Sequence, residues 1–309
     1  MPQKISVVIP NYNGINLLKK NLPGVIKNFP NSQIIVSDDQ SSDNSVNWIK
    51  ENFPSVDISV HKKNLGFSST ANDGAKLALG EVIVLLNTDV SVKKDYTERI
   101  LKYFDDKNLF GIGFQDRSYE KEKIVLRGRG GGSFNNGLLK HYKGSNESGT
   151  TLWISGGSCA VSREKFEKLG GFNPIFNPFY WEDIDLSYRA LKSGWAILFT
   201  PEIEVDHYHE AGAIRTNNSA SRINQIALRN MFIFSAKNIT DTRLLTQFYL
   251  YIFLLVVKSV IKADSLTIKA IILFLLKMKK IIRSKNFEKK LYKLTDTEVI
   301  KYFGNAKKS

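Results

Sequence analysis

The sequence predicts an α/β protein whose central, mostly parallel sheet carries helices on both faces. Three observations predict it. Strand and helix patterns alternate through the first hundred residues. The strand patterns are continuous apolar runs, as expected where both faces of a parallel sheet are buried. A polar cluster follows each of these runs, and in open α/β sheets ligands gather at the carboxyl ends of the strands.

The elements follow in order. Residues 5–9 (ISVVI) form a β-branched run that ends at Pro10. Residues 15–29 have helical spacing, with Leu18, Leu22, Val25, Ile26 and Phe29 near one face. A short apolar run at 34–37 reads as the second strand. Ser42 can cap a helix that reaches about Asn52. Residues 56–61 read as the third strand, 68–79 as a helix and 82–86 (VIVLL) as a buried strand. Residues 115–150 are poor in periodicity, and RGRGGGSFNNG (127–137) is expected to be a mobile loop. No strand pattern feeds it and no helix follows, so it is not a dinucleotide fingerprint. Order returns with helices at 163–169 and 182–193, a strand at 196–199 and a helix at 219–235.

The single cysteine, Cys159, excludes an intramolecular disulfide and a cysteine-based zinc site. The first residues, MPQKISVVIP, run straight into a strand pattern with no apolar leader, so a cytoplasmic location is the default expectation. The net charge of +14 is uneven: residues 236–309 hold 16 Lys and Arg against 5 Asp and Glu. The apolar runs there, 248–257 and 270–276, are shorter than the roughly 20 residues that span a bilayer. Lys258, Lys262, Lys269 and Lys277 edge them. The chain is thus expected to divide into a catalytic domain, 1–235, and a basic, apolar helical tail, 236–309, lying on an anionic membrane surface. A helical cap packed on the domain, lysines outward, is the alternative. The basic residues lie among apolar runs and no reading motif is present, so nucleic acid is not expected as a partner.

Five clusters carry chemistry. The turn Pro10-Asn11-Tyr12-Asn13 exposes polar groups after the first strand. Asp38 and Asp39 follow the second, where a carboxylate can accept from a base N–H or a ribose hydroxyl. Asn64, Gly66 and Asn72 punctuate the helix that follows the third, and the fourth strand ends in Asn87-Thr88-Asp89. One carboxylate beside a carbonyl oxygen suits a hard divalent cation. Farther on, Glu182, Asp183 and Asp185 crowd a helix start behind Phe176, Phe179, Tyr180 and Trp181. Aromatic faces stack on sugar rings, and a carboxylate at their edge can deprotonate a hydroxyl. Last, His207 and His209 share one face of an extended segment, and either can complete a metal site with Asp89.

In this order these motifs resemble family 2 glycosyltransferases of the GT-A fold, notably the bacterial rhamnosyltransferase-like and galactofuranosyltransferase-like subgroup. The resemblance covers about residues 4–235 and is most specific over 64–90 and 156–195. It implies a nucleotide pocket lined by Pro10, Asn11, Tyr12, Asn13, Asp38, Asp39, Asn64, Gly66, Asn72 and Asn87. It places the family's Asp-x-Asp metal motif on Asn87-Thr88-Asp89, where Asn replaces the first acid. The implied cofactor is Mn²⁺ or Mg²⁺, held by Asp89 with His207 or His209. Asp183 matches the catalytic base, and Gly156, Gly157, Trp181 and Glu182 line the acceptor or sugar side. The donor implied is a UDP- or dTDP-sugar, and the acceptor a saccharide or lipid-linked saccharide. Inversion at the anomeric carbon follows from a single displacement, and like-charge repulsion from Glu182 and Asp185 is expected to raise the Asp183 pKa. The competing reading is an inactive nucleotide-sugar-binding module with a decayed metal site at Asn87. The intact Trp181-Glu182-Asp183 run argues against it.

Overall fold

A ten-stranded mixed sheet forms the centre of the computed structural model, which describes residues 4–120, 123–208 and 218–304. Strands β1 (Ile5–Asn11), β2 (Gln33–Asp38), β3 (Asp57–Val60) and β4 (Val82–Leu86) lie in the order β3-β2-β1-β4, all parallel. Helices α1 (Ile15–Asn28), α2 (Ser45–Asn52) and α3 (Phe67–Lys76) make the crossovers. The sheet continues through β11 (Ser158–Ser162), antiparallel to both neighbours, then β6 (Leu109–Glu120) and β12 (Ala196–His207). Six of the ten strands therefore point one way. The short strands β5 (Val90–Ser91) and β10 (Gly149–Thr150) edge β12, and β7 (Lys123–Arg127) edges β6.

Alternate residues of one strand serve opposite cores, which is why the strands read as unbroken apolar runs. Val7 and Ile9 join a cluster with Leu18, Leu22 and Val25 of α1, and with Ile100 of α4 (Thr97–Tyr103). Val8 joins the other face with Ala71 and Ala75 of α3. That face also takes Phe166 of α5 (Arg163–Lys168) and Leu186 of α6 (Glu182–Lys192).

A third core lies beyond the sheet. It joins α6 to five further helices: α7 (Ala220–Asn238), α8 (Thr242–Ile261), α9 (Ser265–Leu275), α10 (Met278–Glu288) and α11 (Asp296–Gly304). Tyr188, Phe232, Phe234, Phe248 and Phe274 are fully buried in it. The expected division at residue 235 falls inside α7, and the helices beyond it share this core with Trp181 and Ile184. Residues 236–304 pack against α6 as a helical cap, with Lys237 buried and Lys277 and Lys285 turned inward to backbone carbonyls.

Two further expectations are corrected. The stretch read as a mobile loop is a β-hairpin, β8 (Gly130–Asn135) paired with β9 (Leu138–Lys143). Its two-residue turn places Asn136 at φ 51° and Gly137 at φ 69°, the left-handed pair that an Asn-Gly hairpin turn requires. Leu138 and Leu139 are buried beneath it, so its apolar content is spent on the third core. The strand expected at 196–199 runs on to His207, with a register shift between Thr200 and Glu204 that carries it past the irregular pattern of its sequence.

The Gly137 turn is clamped by α8. A Cβ built there would lie 2.3 Å from the Leu244 carbonyl oxygen and 2.4 Å from the Phe248 nitrogen. Gly137→Ala is therefore expected to destabilise the fold by about 2 kcal/mol or more, from left-handed strain plus overpacking. Urea unfolding measures it.

Candidate active site

The parallel strands end at one edge of the sheet, and the polar residues converge there. Asp38, at the end of β2, is buried and accepts from Asn11 Nδ2 at 2.7 Å, Ser41 N at 2.8 Å and Ser41 Oγ at 2.6 Å. It ties the end of β1 to the turn after β2. Asn13 closes the same seam: its N–H donates to Ser41 Oγ, and its Oδ1 accepts from Ser42 N. Asn11 Oδ1 is buried without a hydrogen-bond partner among the described residues, and it lies against Gly14, where a Cβ would fall 2.4 Å from it. Pro10 and Tyr12 flank it, each partly exposed.

Asp39 has a different task. Its carboxylate accepts from the N–H groups of Leu65 and Gly66 at 2.7 and 2.8 Å, and His61 Nδ1 lies 2.8 Å away. It shapes the 64–66 turn. Gly66 sits at φ +86°, where a Cβ would meet Pro178 Cα at 2.9 Å. Asn64 is exposed and donates its N–H to Gln40 Oε1. The amide of Asn72 is committed to Phe172, donating to its carbonyl at 2.7 Å and accepting from its N–H at 2.8 Å. Asn72 therefore fastens α3 to the turn after α5, while Asn11, Asp38 and Asn13 tie the ends of β1 and β2 together.

The Asn87-Thr88-Asp89 turn is held from several sides. Asn87 N donates to Gly157 O at 2.9 Å, Asn21 Nδ2 to Thr88 O at 2.8 Å, and Tyr208 N to Asp89 O at 3.0 Å. A Cβ on Gly157 would fall 2.3 Å from Asn87 Nδ2, so glycine there lets the Asn87 side chain lie flat. Pairing of β5 with β12 sets His207 opposite Val90, beside Asp89. His207 Nε2 lies 3.1 Å from Asp89 Oδ1, and Nδ1 lies 2.6 Å from Asp116 Oδ2. Burial lowers the imidazole pKa, but the two carboxylates outweigh it and raise it to about 9. Asp116 is the residue that sequence reasoning missed. It stands in the stretch judged patternless, and only the neighbouring register of β6 and β12 brings it to His207. His209 lies outside the described residues.

The donor set fits a divalent cation. Asp89 Oδ1 is buried with no aligned hydrogen bond among the described residues, and a carboxylate behind the far nitrogen orients His207 as second-shell acids orient ligating histidines. No group of three potential metal-ligating side chains occurs among the described residues. Asp89 and His207 would hold the ion with ligands left for diphosphate and water.

Asp183, partly exposed, stands in the first turn of α6. Its Oδ1 accepts from Ile184 N at 2.8 Å, and the Gly156 N–H also donates to the carboxylate. Gly156, packed against Phe67 and Phe172, and Gly157 thus join Asp183 to the Asn87-Asp89 turn through one stretch of backbone.

The three acids of this turn differ sharply. Burial pushes the Asp183 pKa up, only partly offset by backbone N–H donors. Burial, and next the Asp183 charge, push Glu182 well above the usual carboxylate range; its Oε2 is buried without a partner among the described residues. Burial would also raise Asp185, but Lys237 and Arg189 outweigh it and hold its pKa below the usual value. The expected cause for Asp183, repulsion by its neighbours, is therefore replaced by desolvation. Trp181 is buried to 8 % exposure against Phe234 and His141, so it is a wall of the site more than an open stacking face.

Comparison with solved structures identifies the architecture as the GT-A glycosyltransferase fold. The chain superposes on GalNAc-T7, solved with UDP, GalNAc and Mn²⁺, at a TM-score of 0.62 with 21% identity, over 78% of this chain and 49% of that one. It superposes on Staphylococcus aureus TarS residues 1–349, solved with UDP, at 0.55 with 15% identity, over 79% and 68%. The chain belongs to glycosyl transferase family 2, whose sequence profile matches residues 6–170. It is 27% identical over 185 residues to the O-antigen chain rhamnosyltransferase WbaN of Salmonella anatum, covering 58% of this chain and 57% of that protein. It is 26% identical over 240 residues to validoxylamine A glucosyltransferase of Streptomyces hygroscopicus subsp. jinggangensis, covering 67% and 57%. The chain thus matches little more than half the length of these two curated relatives.

Because Glu182 and Asp183 bind protons more tightly folded than unfolded, stability falls as pH rises from the ordinary glutamate value of 4.5 toward the raised ones. Glu182→Gln is expected to raise the melting temperature at about pH 8 and leave it unchanged near about pH 4, where the carboxyl is protonated in both states. Calorimetry across that range checks it.

Proposed function

We propose that the chain is an inverting glycosyltransferase that moves a sugar from a UDP- or dTDP-sugar to a saccharide acceptor, lipid-linked, in cell-surface glycan synthesis. The observation that carries this is the placement of Asp183: a carboxyl with a raised pKa, joined by the Gly156-Gly157 backbone to the turn bearing Asp89 and His207. The nucleotide lies against Asn11, Asn13 and Asp38. Asp89 and His207 would hold a divalent cation, Mn²⁺ or Mg²⁺, which when bound would supply charge neutralisation for the departing diphosphate. Asp183 takes the proton of the acceptor hydroxyl as its oxygen attacks the anomeric carbon opposite the leaving group, which inverts that centre. Gly156 and Ile184 N–H groups aim the carboxylate, and Trp181 and Glu182 wall off water on the acceptor side. The relatives named for rhamnose transfer and the UDP-bound neighbours support the donor class and a glycan acceptor.

Asp183→Asn is expected to lower transfer by at least about 100-fold. Thermal stabilisation by the matching nucleoside diphosphate stays intact and is abolished by EDTA. A donor panel read by thermal shift and nucleotide release names the donor. Full transfer by Asp183→Asn would remove the base assignment, and no response to any donor would favour an inactive binding module.

The acceptor's lipid places the enzyme at a membrane, peripheral on the cytoplasmic face. Support comes from the outer side of the cap. On α8, Leu250, Phe253, Leu254, Val257 and Ile261 recur at helical spacing and are exposed, Phe253 to 64 % and Ile261 to 79 %. Ile272 and Leu276 continue the surface. Exposed Lys258, Lys262 and Lys269 edge it, and Asp264 is the only exposed acid from 242 to 290. Such a surface matches an anionic interface. By length and composition α8, 20 residues long, could cross a bilayer. Its inner face, however, is anchored in the cap through Phe248 and Ile252, which favours lying flat over spanning. Removing residues 240–309 would take Phe248 and Phe274 out of the core, so surface substitutions separate docking from folding. The pair Phe253→Glu with Leu254→Glu is expected to lower binding to phosphatidylglycerol vesicles at least about tenfold in flotation assays, with nucleotide binding unchanged. Unaltered vesicle binding by this variant would rule out the face.

A further inference from the structure

Helix α6 starts from a turn that its own sequence disfavours. Tyr180 and Trp181 are consecutive aromatic residues, at φ 71° and 75°. Bulky side chains avoid that left-handed region, and the conformation persists only where surroundings over-determine it. One side chain among these surroundings reaches three carbonyls of the turn. Asn230 of α7, fully buried, directs its Nδ2 at three carbonyl oxygens of this turn: Phe176 at 2.7 Å, Tyr180 at 2.8 Å and Phe179 at 3.0 Å. Arg229 Nε donates to Asn230 Oδ1 at 2.9 Å, which fixes which end of the amide faces the turn. Arg229 Nη2 also donates to Asn177 O at 2.8 Å. The Asn177 side chain continues across the site, donating to Leu65 O and Ser69 Oγ and accepting from Ser68 N.

We infer that Asn230 is a positioning residue for Asp183. It gathers the carbonyls of the 176–180 turn, holds Tyr180 and Trp181 left-handed, and so sets the first turn of α6, where Asp183 is the second residue. It lies on α7, beyond the stretch matched by the family profile, and no hydrogen bond joins it to Asn11, Asp38 or the Asp89–His207 pair among the described residues. The role rests on the reading of Asp183 as the base. It makes α7 a working part of the catalytic centre, since Arg229 and Asn230 reach the base-bearing turn from behind.

The test compares Asn230→Ala, Asn230→Asp and Asp183→Asn in the full-length chain, with steady-state kinetics in donor and acceptor and thermal shift with UDP. Asn230→Ala is expected to lower kcat about 100-fold, the scale of an ångström-sized misplacement of a reacting group. The donor KM and the UDP-induced shift stay near wild type, because the strand-end crevice is built by other elements. Asn230→Asp sets carboxylate oxygens against three carbonyls and is expected to do at least as much damage. If Asn230→Ala does not fold, Arg229→Met, which removes the donor orienting the amide, carries the same expectation at about tenfold. A kcat within threefold of wild type in the folded Asn230 variant, or a parallel loss of donor binding, would overturn the positioning role. Full activity in Asp183→Asn would instead overturn the base assignment, and so separates the two failures.

Discussion

One buried carboxylate, Asp185, holds helix α6 to the body behind it. Its Oδ1 accepts from Lys237 Nζ and from Asn238 Nδ2, each at 2.7 Å. Its Oδ2 accepts from Arg189 Nε at 2.8 Å, and that guanidinium also donates to the carbonyls of Leu169 and Gly171. Lys237 pairs in turn with Glu288 of α10. Asp185, Arg189 and Lys237 are almost wholly removed from water. A buried charge without its partner costs several kcal/mol, so these elements have one register in which every charge is answered. The site depends on that register. Asp183 lies two residues from Asp185, and a slipped helix would carry this proposed base away from the Gly156 N–H.

Burial alone does not decide the chemistry of this turn; the partners do. Asp185 meets two cations and stays ionised, which makes it a joint. Asp183 meets backbone N–H groups and no cation, so its proton affinity rises, as a base requires. Glu182 lies buried beside it with an unanswered oxygen, a local loss of stability of the kind active sites retain. The same logic shapes the opposite wall. Two carboxylates face His207 and hold its proton, so a cation at Asp89 would have to displace that proton before Nε2 could ligate it.

Much of the fold was legible because it is written locally. The apolar runs of β1, β2 and β4 alternate between two cores, and no tertiary knowledge is needed to see that such strands are covered on both faces. The strand-end residues Asn11, Asp38 and Asp89 could be placed for the same reason. The hairpin β8–β9 also carried a local signal, the Asn136-Gly137 pair, which its glycine-rich setting obscured. Asp116 carried none. It sits in an irregular stretch, and its meeting with His207 across 91 residues depends on the pairing of two distant strands.

By itself the sequence determined the sheet, its helical covering, the strand-end cluster and the acidic turn of α6, because strand periodicity and turn chemistry act between near neighbours in the chain. Tertiary structure alone decided that Asn72 and Asp39 brace turns, that Asp185 is a joint while Asp183 keeps a raised pKa, and that the basic C-terminal helices close around the catalytic turn. Those outcomes depend on which distant donor or cation reaches a given oxygen. Packing settles that, since desolvation and pairing are properties of a place in the fold and not of a position in the chain.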